Sequence, residues 1–244
     1  MEKAQRMTET KDLSINLYGD DIGRVDYISH MGDDLTVVNS ARVSFGKTKK
    51  DLDAKDKKLI NYLISHRHTS TLEHNCATFR FVVPLFIRSQ HHRHRTWSYN
   101  EISRRYTDVD LCFYEPKEFR TQHVSNRQAS NPNEMFNPLI GSKNIGGGNH
   151  ADYLVRAHHK KSIRLYNSLI DSGVCREQAR GVLPQNLYTE YYGTANLNNI
   201  MKFVDLRLHD GAQWEIQQVA NAVLDIVQTL WPETVSAFRK LKDI

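Results

Sequence analysis

Long apolar runs are missing from this chain of 244 residues: no stretch approaches the roughly 18 consecutive apolar residues that a membrane-spanning helix needs. Met1 to Lys11 is too polar to form the hydrophobic region of a secretory leader, so the expectation is a cytoplasmic protein without a membrane partner. Cysteine is scarce too. Cys76, Cys112 and Cys175 are odd in number, widely spaced and contain no CxxC pair, which argues against a disulfide framework. Only 12 Gly and 6 Pro interrupt regular structure, and 39% hydrophobic with 25% charged residues is not the composition of a disordered or fibrous chain. No Gly-rich dinucleotide fingerprint follows a strand, since Gly146-Gly147-Gly148 lies in a polar stretch, and this leaves no place for a separate Rossmann domain. With no internal repeat and no linker, the chain reads as one domain over 1–244.

What is present in excess is positive charge. The formal +5 favours an anionic partner, which could be nucleic acid, a nucleotide or a phosphorylated cofactor.

The chain alternates helical and extended patterns. Leu13 to Tyr18 reads as an edge strand ending at Gly19-Asp20-Asp21, followed by a helix from about Asp34 to Val43. A second helix runs from about Asp53 to His66 with Leu59, Ile60, Leu63 and Ile64 on its core face. Thr78 to Val83 alternates as a strand, and Pro84 starts a helix. Glu118 to His150 is polar and rich in turn residues, a long mobile excursion without a core of its own and a plausible lid. Helices follow over Tyr153 to Ser172, closed by Gly173, and over Val174 to Leu183, stopped by Pro184. Leu187 to Thr194 is a second strand. From Asp210 a last long helix presents Trp214, Val219, Val223, Ile226, Val227 and Leu230 to the core, and Pro232 opens a final short one.

The chemistry concentrates between His91 and Tyr106, where four arginines and three histidines are interleaved with Ser98, Asn100, Glu101 and Ser103. Arginine forks can grip a phosphate through paired hydrogen bonds, and the shorter polar groups add directional contacts to a sugar or base. A basic strip for a nucleic-acid backbone is the plainer reading, but Glu101 in its centre would repel phosphates. A metal site built from His91, His92 and His94 is a further possibility, although neighbouring helical positions point in different directions. Ser103, flanked by arginine, could be a nucleophile or a binding hydroxyl.

Arg93-His94-Arg95, Ser98, Asn100-Glu101, Ser103 and Arg105-Tyr106 match the RHRxxSxNExSxRY motif, and on it the chain resembles the flavin-dependent thymidylate synthase family. The resemblance extends to Ala41-Arg42-Val43-Ser44-Phe45, to His68 through Glu73-His74, to Arg180 with Val182-Leu183-Pro184, to Asn196 and Arg207, and to Ala212-Gln213-Trp214-Glu215-Ile216. It leaves out the Glu118 to His150 excursion.

The resemblance implies an α+β fold, a single domain with a small twisted, mostly antiparallel sheet flanked by helices. It implies reductive methylation of dUMP to dTMP, with methylenetetrahydrofolate as carbon donor and NADPH as reductant by way of FAD. It also implies a homotetramer whose active sites form at subunit interfaces. All these ligands are anionic, so the positive charge needs no nucleic acid. By resemblance Gln90, Arg93, Glu101, Ser103, Arg104, Arg105 and Arg180 line the dUMP site. Ser70, Arg93, His94, Arg95, Asn100, Glu101 and Asn196 contact FAD, with His68 and Tyr106 near the flavin or the folate. Arg207 carries the catalytic role, contacting the uracil ring and favouring ionisation at N3. From its surroundings in sequence alone Arg207 would be a helix-end arginine pairing with Asp205 or Asp210. The resemblance also implies that no cysteine acts as nucleophile. Two departures stand out: Gly211 replaces a family histidine, with His209 two positions earlier, and Asn198 and Lys202 occupy positions where relatives place Arg and Asn. The competing readings are a non-catalytic nucleic-acid-binding module and a flavoprotein NADPH oxidoreductase that has lost methyl transfer.

Overall fold

The structure, a computed structural model, describes residues 13–106, 111–142 and 147–244; Met1 to Lys11 and Gly146 lie outside the described residues. β1 (Ser14–Asn16) and β2 (Arg24–Met31) pair antiparallel, and the Asp20 carboxylate accepts from the amides of Ile22 and Gly23 in the turn between them. Sequence alternation misses β2 because a bulge between Tyr27 and Ser29 breaks the period of two. α1 (Asp34–Arg42) and α2 (Ala54–Ser65) each begin in a capping box, from Asp33 with Thr36 and from Asp53 with Asp56. α2 buries Ile60, Leu63 and Ile64, the face its apolar spacing predicts.

β3 (Cys76–Pro84) buries Phe79, Phe81 and Val83 and runs directly into α3 (Leu85–His91), for which Pro84 is the N-cap rather than the first helical residue. The chain turns tightly after His91 and emerges as β4 (Ser98–Glu101), so the basic motif is a turn and a strand and not a helix. The polar excursion is not structureless. It forms two hairpins, β5 (Phe119–Gln122) with β6 (Ser130–Phe136) and β7 (Leu139–Ser142) with β8 (Gly147–His150). α4 (Ala151–Asp171) ends at Gly173, whose φ of +87° allows the Val174 amide to return to the Leu169 carbonyl at 2.9 Å. Only the first part of the next segment is α-helical, α5 (Arg176–Ala179), and a 3-10 turn over Arg180–Val182 completes it.

β9 (Tyr188–Asn196) pairs with β3 along its whole length, from Pro84↔Tyr188 to Cys76↔Asn196, and on its other side with β4, from Glu101↔Tyr191 to Ser98↔Thr194. The main sheet therefore runs β1-β2-β3-β9-β4, all antiparallel, with the motif strand at one edge. α6 (Leu197–Arg207) follows β9 at once, capped by the Asn196 side chain, which accepts from the Asn199 amide at 2.9 Å. It escapes the sequence reading because β9 passes into it without a turn signal, the cap being its only mark. α7 (Trp214–Leu230) and α8 (Pro232–Lys242) complete the core, with α6 against β9, α7 against β2 and α8 against α2. The expected start of α7 at Asp210 moves four residues on, to a helix whose buried positions include Val219, Val223, Ile226, Val227 and Leu230. Among the described residues no helix is long and apolar enough to cross a membrane.

The first turn of α8 is capped from the far end of the chain. Buried Asp34 accepts from the amides of Glu233 and Thr234, both at 2.9 Å, and from the Thr234 hydroxyl. Asp34→Ala leaves these donors without a partner and costs about 1–2 kcal/mol, read from urea unfolding. A loss within about 0.3 kcal/mol of zero would mean that water replaces the cap.

Candidate functional site

β4 sorts the motif by face. Ser98 and Asn100 point outward and are exposed, whereas Tyr99 and Glu101 point inward and are partly buried. Tyr99 braces the turn that precedes it, its hydroxyl donating to the carbonyls of His91 and His94 at 2.9 and 3.1 Å. Glu101 accepts from Arg88 Nε at 3.0 Å and from the Thr189 hydroxyl at 2.6 Å. Its negative charge is thus matched inside the fold, and this partner is what charge counting along the motif lacked. The period-two alternation of β4 could have shown that Glu101 faces inward, though not which residue it meets.

The three motif histidines turn to three different partners. Buried His91 holds the Tyr191 hydroxyl through Nδ1 at 2.8 Å inside a cage of Phe81, Trp97 and Phe203 rings. His92 stacks on Tyr99. His94 Nε2 accepts from Arg207 Nε at 3.0 Å, so its proton resides on Nδ1. Among the described residues no group of three His, Cys, Asp or Glu is arranged to hold a metal ion.

Arg207 does not pair with either neighbouring aspartate. Besides His94, it reaches the Gln90 carbonyl at 3.2 Å, while Asp205 binds Lys242 at 2.7 Å. Burial lowers the guanidinium pKa, which for arginine leaves the charge in place. Burial and the adjacent Arg207 together depress His94 to about 4, and burial, reinforced by the charges around it, drives His91 well down. Two neutral imidazoles therefore flank one permanent cation at neutral pH.

The other predicted positions divide into two groups. Gln90 is half-buried and bound through Nε2 to Gln213 Oε1 at 2.6 Å; Gln213 lies in the Ala212–Ile216 block, where sequence gave it no role. Arg104 reaches the Tyr188 carbonyl at 3.4 Å. The Ser103 hydroxyl accepts from the Arg105 amide at 3.4 Å, and the Arg105 guanidinium lies over the exposed Tyr106 ring. Arg93, Arg95 and Arg180 are exposed and have no side-chain partner among the described residues. Ser70 lies in a 3-10 turn, and His68 joins a ring stack with Tyr62 and His66.

Beside Ser70 and Asn196 opens a groove of about 260 Å³ floored by Leu63, Leu72, Met201 and Phe238. Arg67 and Lys202 stand on its rim with no ion-pair partner among the described residues. Asn198 also lines the groove, with its side-chain amide donating to Glu73 at 2.8 Å. Cys76 is partly buried, donates to the Ala195 carbonyl and has its thiol pKa raised by burial, the wrong direction for a thiolate nucleophile.

The family model described as Thymidylate synthase complementing protein matches residues 26–233. The flavin-dependent thymidylate synthase of Thermus thermophilus is 41% identical over 220 residues, covering 90% of this chain and 77% of that protein. The enzyme of the same name from Thermosipho africanus is 38% identical over 220 residues, 90% of this chain and 92% of its own. Among solved structures, a UMP/dUMP methylase PolB from Streptomyces cacaoi bound with 5-Br UMP superposes with a TM-score of 0.74 at 31% identity, covering 94% of this chain and 98% of that one.

The His94 contact has a pH consequence. Its folded pKa of about 4 lies below the unfolded value near 6.5, so between these limits the unfolded chain binds the extra proton. Stability is full above 6.5 and declines as pH falls toward 4, with buried His91 acting in the same direction. His94→Gln should flatten that decline in urea midpoints measured from pH 7 to 4, and the His94 ring should titrate near 4 by NMR. A midpoint near 6.5 would contradict the contact.

Proposed function

This chain belongs to the flavin-dependent thymidylate synthase family, and from that membership we propose that it methylates dUMP to dTMP, with methylenetetrahydrofolate as carbon donor, NADPH as reductant and FAD as bound flavin. The observation that carries this reading is Arg207, whose side chain reaches from the end of α6 to His94 of the basic motif and to the carbonyl of Gln90 just before it. A guanidinium held there against neutral imidazoles is free to stabilise negative charge on a pyrimidine ring. Each unit by which ionisation at ring N3 is eased takes about 1.4 kcal/mol of preferential stabilisation, and a cation in a water-poor site can supply that.

The chain's own groups divide the work. Arg93, Arg104, Arg105 and Arg180 meet the nucleotide phosphate, and Gln90, Glu101 and Ser103 address sugar and base. FAD, when bound, supplies the relay of reducing equivalents from NADPH that a protein side chain cannot. The chain offers groups that fit it: Ser70 follows Thr69 of the apolar-floored groove, Asn196 caps the helix whose Asn198, Met201 and Lys202 line that groove, and Lys202 and Arg67 offer positive charge there, while His94, Arg95 and Asn100 would meet the flavin from β4 and the turn before it. Asn198 is committed to Glu73, so in this chain Lys202, one helical turn later, is the cation available to an anionic cofactor tail. His68 and Tyr106 stand exposed, available to the flavin or the folate.

We propose further that the enzyme works in the cytoplasm as a homotetramer with sites completed between subunits. In support, Val43 and Phe45 are 72% and 78% exposed within the family's Ala41–Phe45 stretch, and Arg93, Arg105 and Arg180 lie exposed on the surface.

The deciding experiment is dTMP formation from dUMP with FAD, NADPH and methylenetetrahydrofolate, beside the same mixture without folate. Product in the first alone is expected, whereas NADPH oxidation without dTMP in both would leave only an oxidoreductase. Arg207→Ala should abolish dTMP formation while flavin absorbance stays with the protein. Replacing Cys76, Cys112 and Cys175 together should leave most activity, and complete loss with the fold intact would restore a thiol nucleophile.

A further inference from the structure

The excursion is tied to the start of α7 through Arg120. Arg120 of β5 donates through NH2 to Glu215 Oε1 at 2.6 Å, lays its guanidinium over the Trp214 ring and holds Ser130 of its own hairpin at 2.9 Å. Both members of the ion pair are largely out of water, with 17% and 5% of the Arg120 and Glu215 side chains exposed. Glu215 sits in the first turn of α7, where a carboxylate is favoured by the helix N-terminus, and also accepts from the Tyr114 hydroxyl at 3.1 Å.

From Glu215 a line of two side-chain hydrogen bonds leads back to Gln90, whose backbone carbonyl holds Arg207. Gln213 Nε2 donates to Glu215 Oε2 at 2.9 Å, Gln90 Nε2 donates to Gln213 Oε1 at 2.6 Å, and Arg207 NH2 donates to the Gln90 carbonyl at 3.2 Å. Both amide donors in the line face toward the carboxylate, so the Gln90–Gln213 and Gln213–Glu215 bonds polarise each other in the same sense, and Arg207 joins them through the Gln90 backbone. The orientation of both amides follows from the charge at its end. With Nε2 of Gln90 held by Gln213, that residue keeps its Oε1 for another partner. The line joins the excursion, the α7 N-terminus, α3 and α6, which are far apart in sequence.

We propose that Arg120 is a positioning residue for dUMP methylation, fixing Glu215 and, through Gln213, the Gln90 side chain that the proposed function assigns to dUMP. The excursion is thus part of the nucleotide site's framework and not a free lid. Arg120 touches no proposed ligand; it acts through the line.

The test measures KM for dUMP and kcat on the FAD-loaded enzyme for Arg120→Met, Arg120→Lys, Gln213→Leu and the Arg120→Met/Gln213→Leu double variant. KM for dUMP should rise about tenfold in Arg120→Met, with the flavin content and circular dichroism of the parent, and Arg120→Lys should recover part of the loss. The double variant should be no worse than the poorer single variant, because both cut one line. Losses that multiply in the double variant, or parental constants in Arg120→Met, overturn the proposal. Should Arg120→Met not fold, Gln213→Leu leaves the Arg120 ion pair in place and decides alone: parental constants there overturn it equally. A parent that makes no dTMP sinks the underlying function and this inference with it, whereas an active parent with unchanged variants sinks the line alone.

Discussion

The pairing of β3 with β9 fixes where everything else can go. Because the two strands are antiparallel and fully in register from Cys76↔Asn196 to Pro84↔Tyr188, the helices that follow them start at opposite ends of the ladder. α3 leaves β3 beside Tyr188, and α6 leaves β9 beside Cys76; their last turns meet, with Arg207 at the Gln90 carbonyl and Phe203 against His91. The same ladder leaves the outer edge of β9 free, and β4 takes it. A motif contiguous in sequence is thereby laid across the meeting point of two helix ends. Carbonyls at such ends lack intrahelical donors, and a guanidinium placed among them satisfies one while gaining from the negative end of the helix.

That placement governs the electrostatics. A chain with a net charge of +5 could have scattered its arginines as a solvated strip, but the fold sorts them. Arg88 is spent on Glu101, Arg207 on a neutral histidine and a carbonyl, and Arg93, Arg95 and Arg180 are left open. His94 stays neutral because a buried imidazolium beside Arg207 would face both desolvation and repulsion. Charge beside His94 is therefore a single fixed cation, and charge at the surface is a set of uncommitted ones; the two kinds of arginine differ in burial, not in residue type.

Local patterns carried most of the elements into the sequence reading. Alternation in β3 and apolar spacing in α2 and α7 are direct consequences of one buried face, and Gly173 marks a left-handed helix end. β2 was hidden by its bulge, and α6 by joining a strand without a turn. The resemblance supplied the candidate site as a list of residues, yet not as an arrangement. Nothing within fourteen residues indicates that Glu101 meets Thr189, or that Arg207 prefers His94 to Asp205, since those partners lie 88 and 113 positions away. Such pairings are properties of the ladder, and no local signal encodes them.

The excursion shows the same point from the other side. Its polarity excluded a core, and that much stands, but two hairpins satisfy their own backbone groups and need little apolar burial to do so. Lengthening a loop costs little more in closure entropy than a short one, so the insertion itself is cheap; fixing its position is the harder problem. One buried ion pair does this. Arg120 with Glu215 contributes little net stability after desolvation, but either charge left alone would be expensive, and that asymmetry excludes other placements of the hairpin. Because Glu215 already anchors the first turn of α7 next to Gln213, the same carboxylate that secures the insertion also fixes the side chain that holds Gln90.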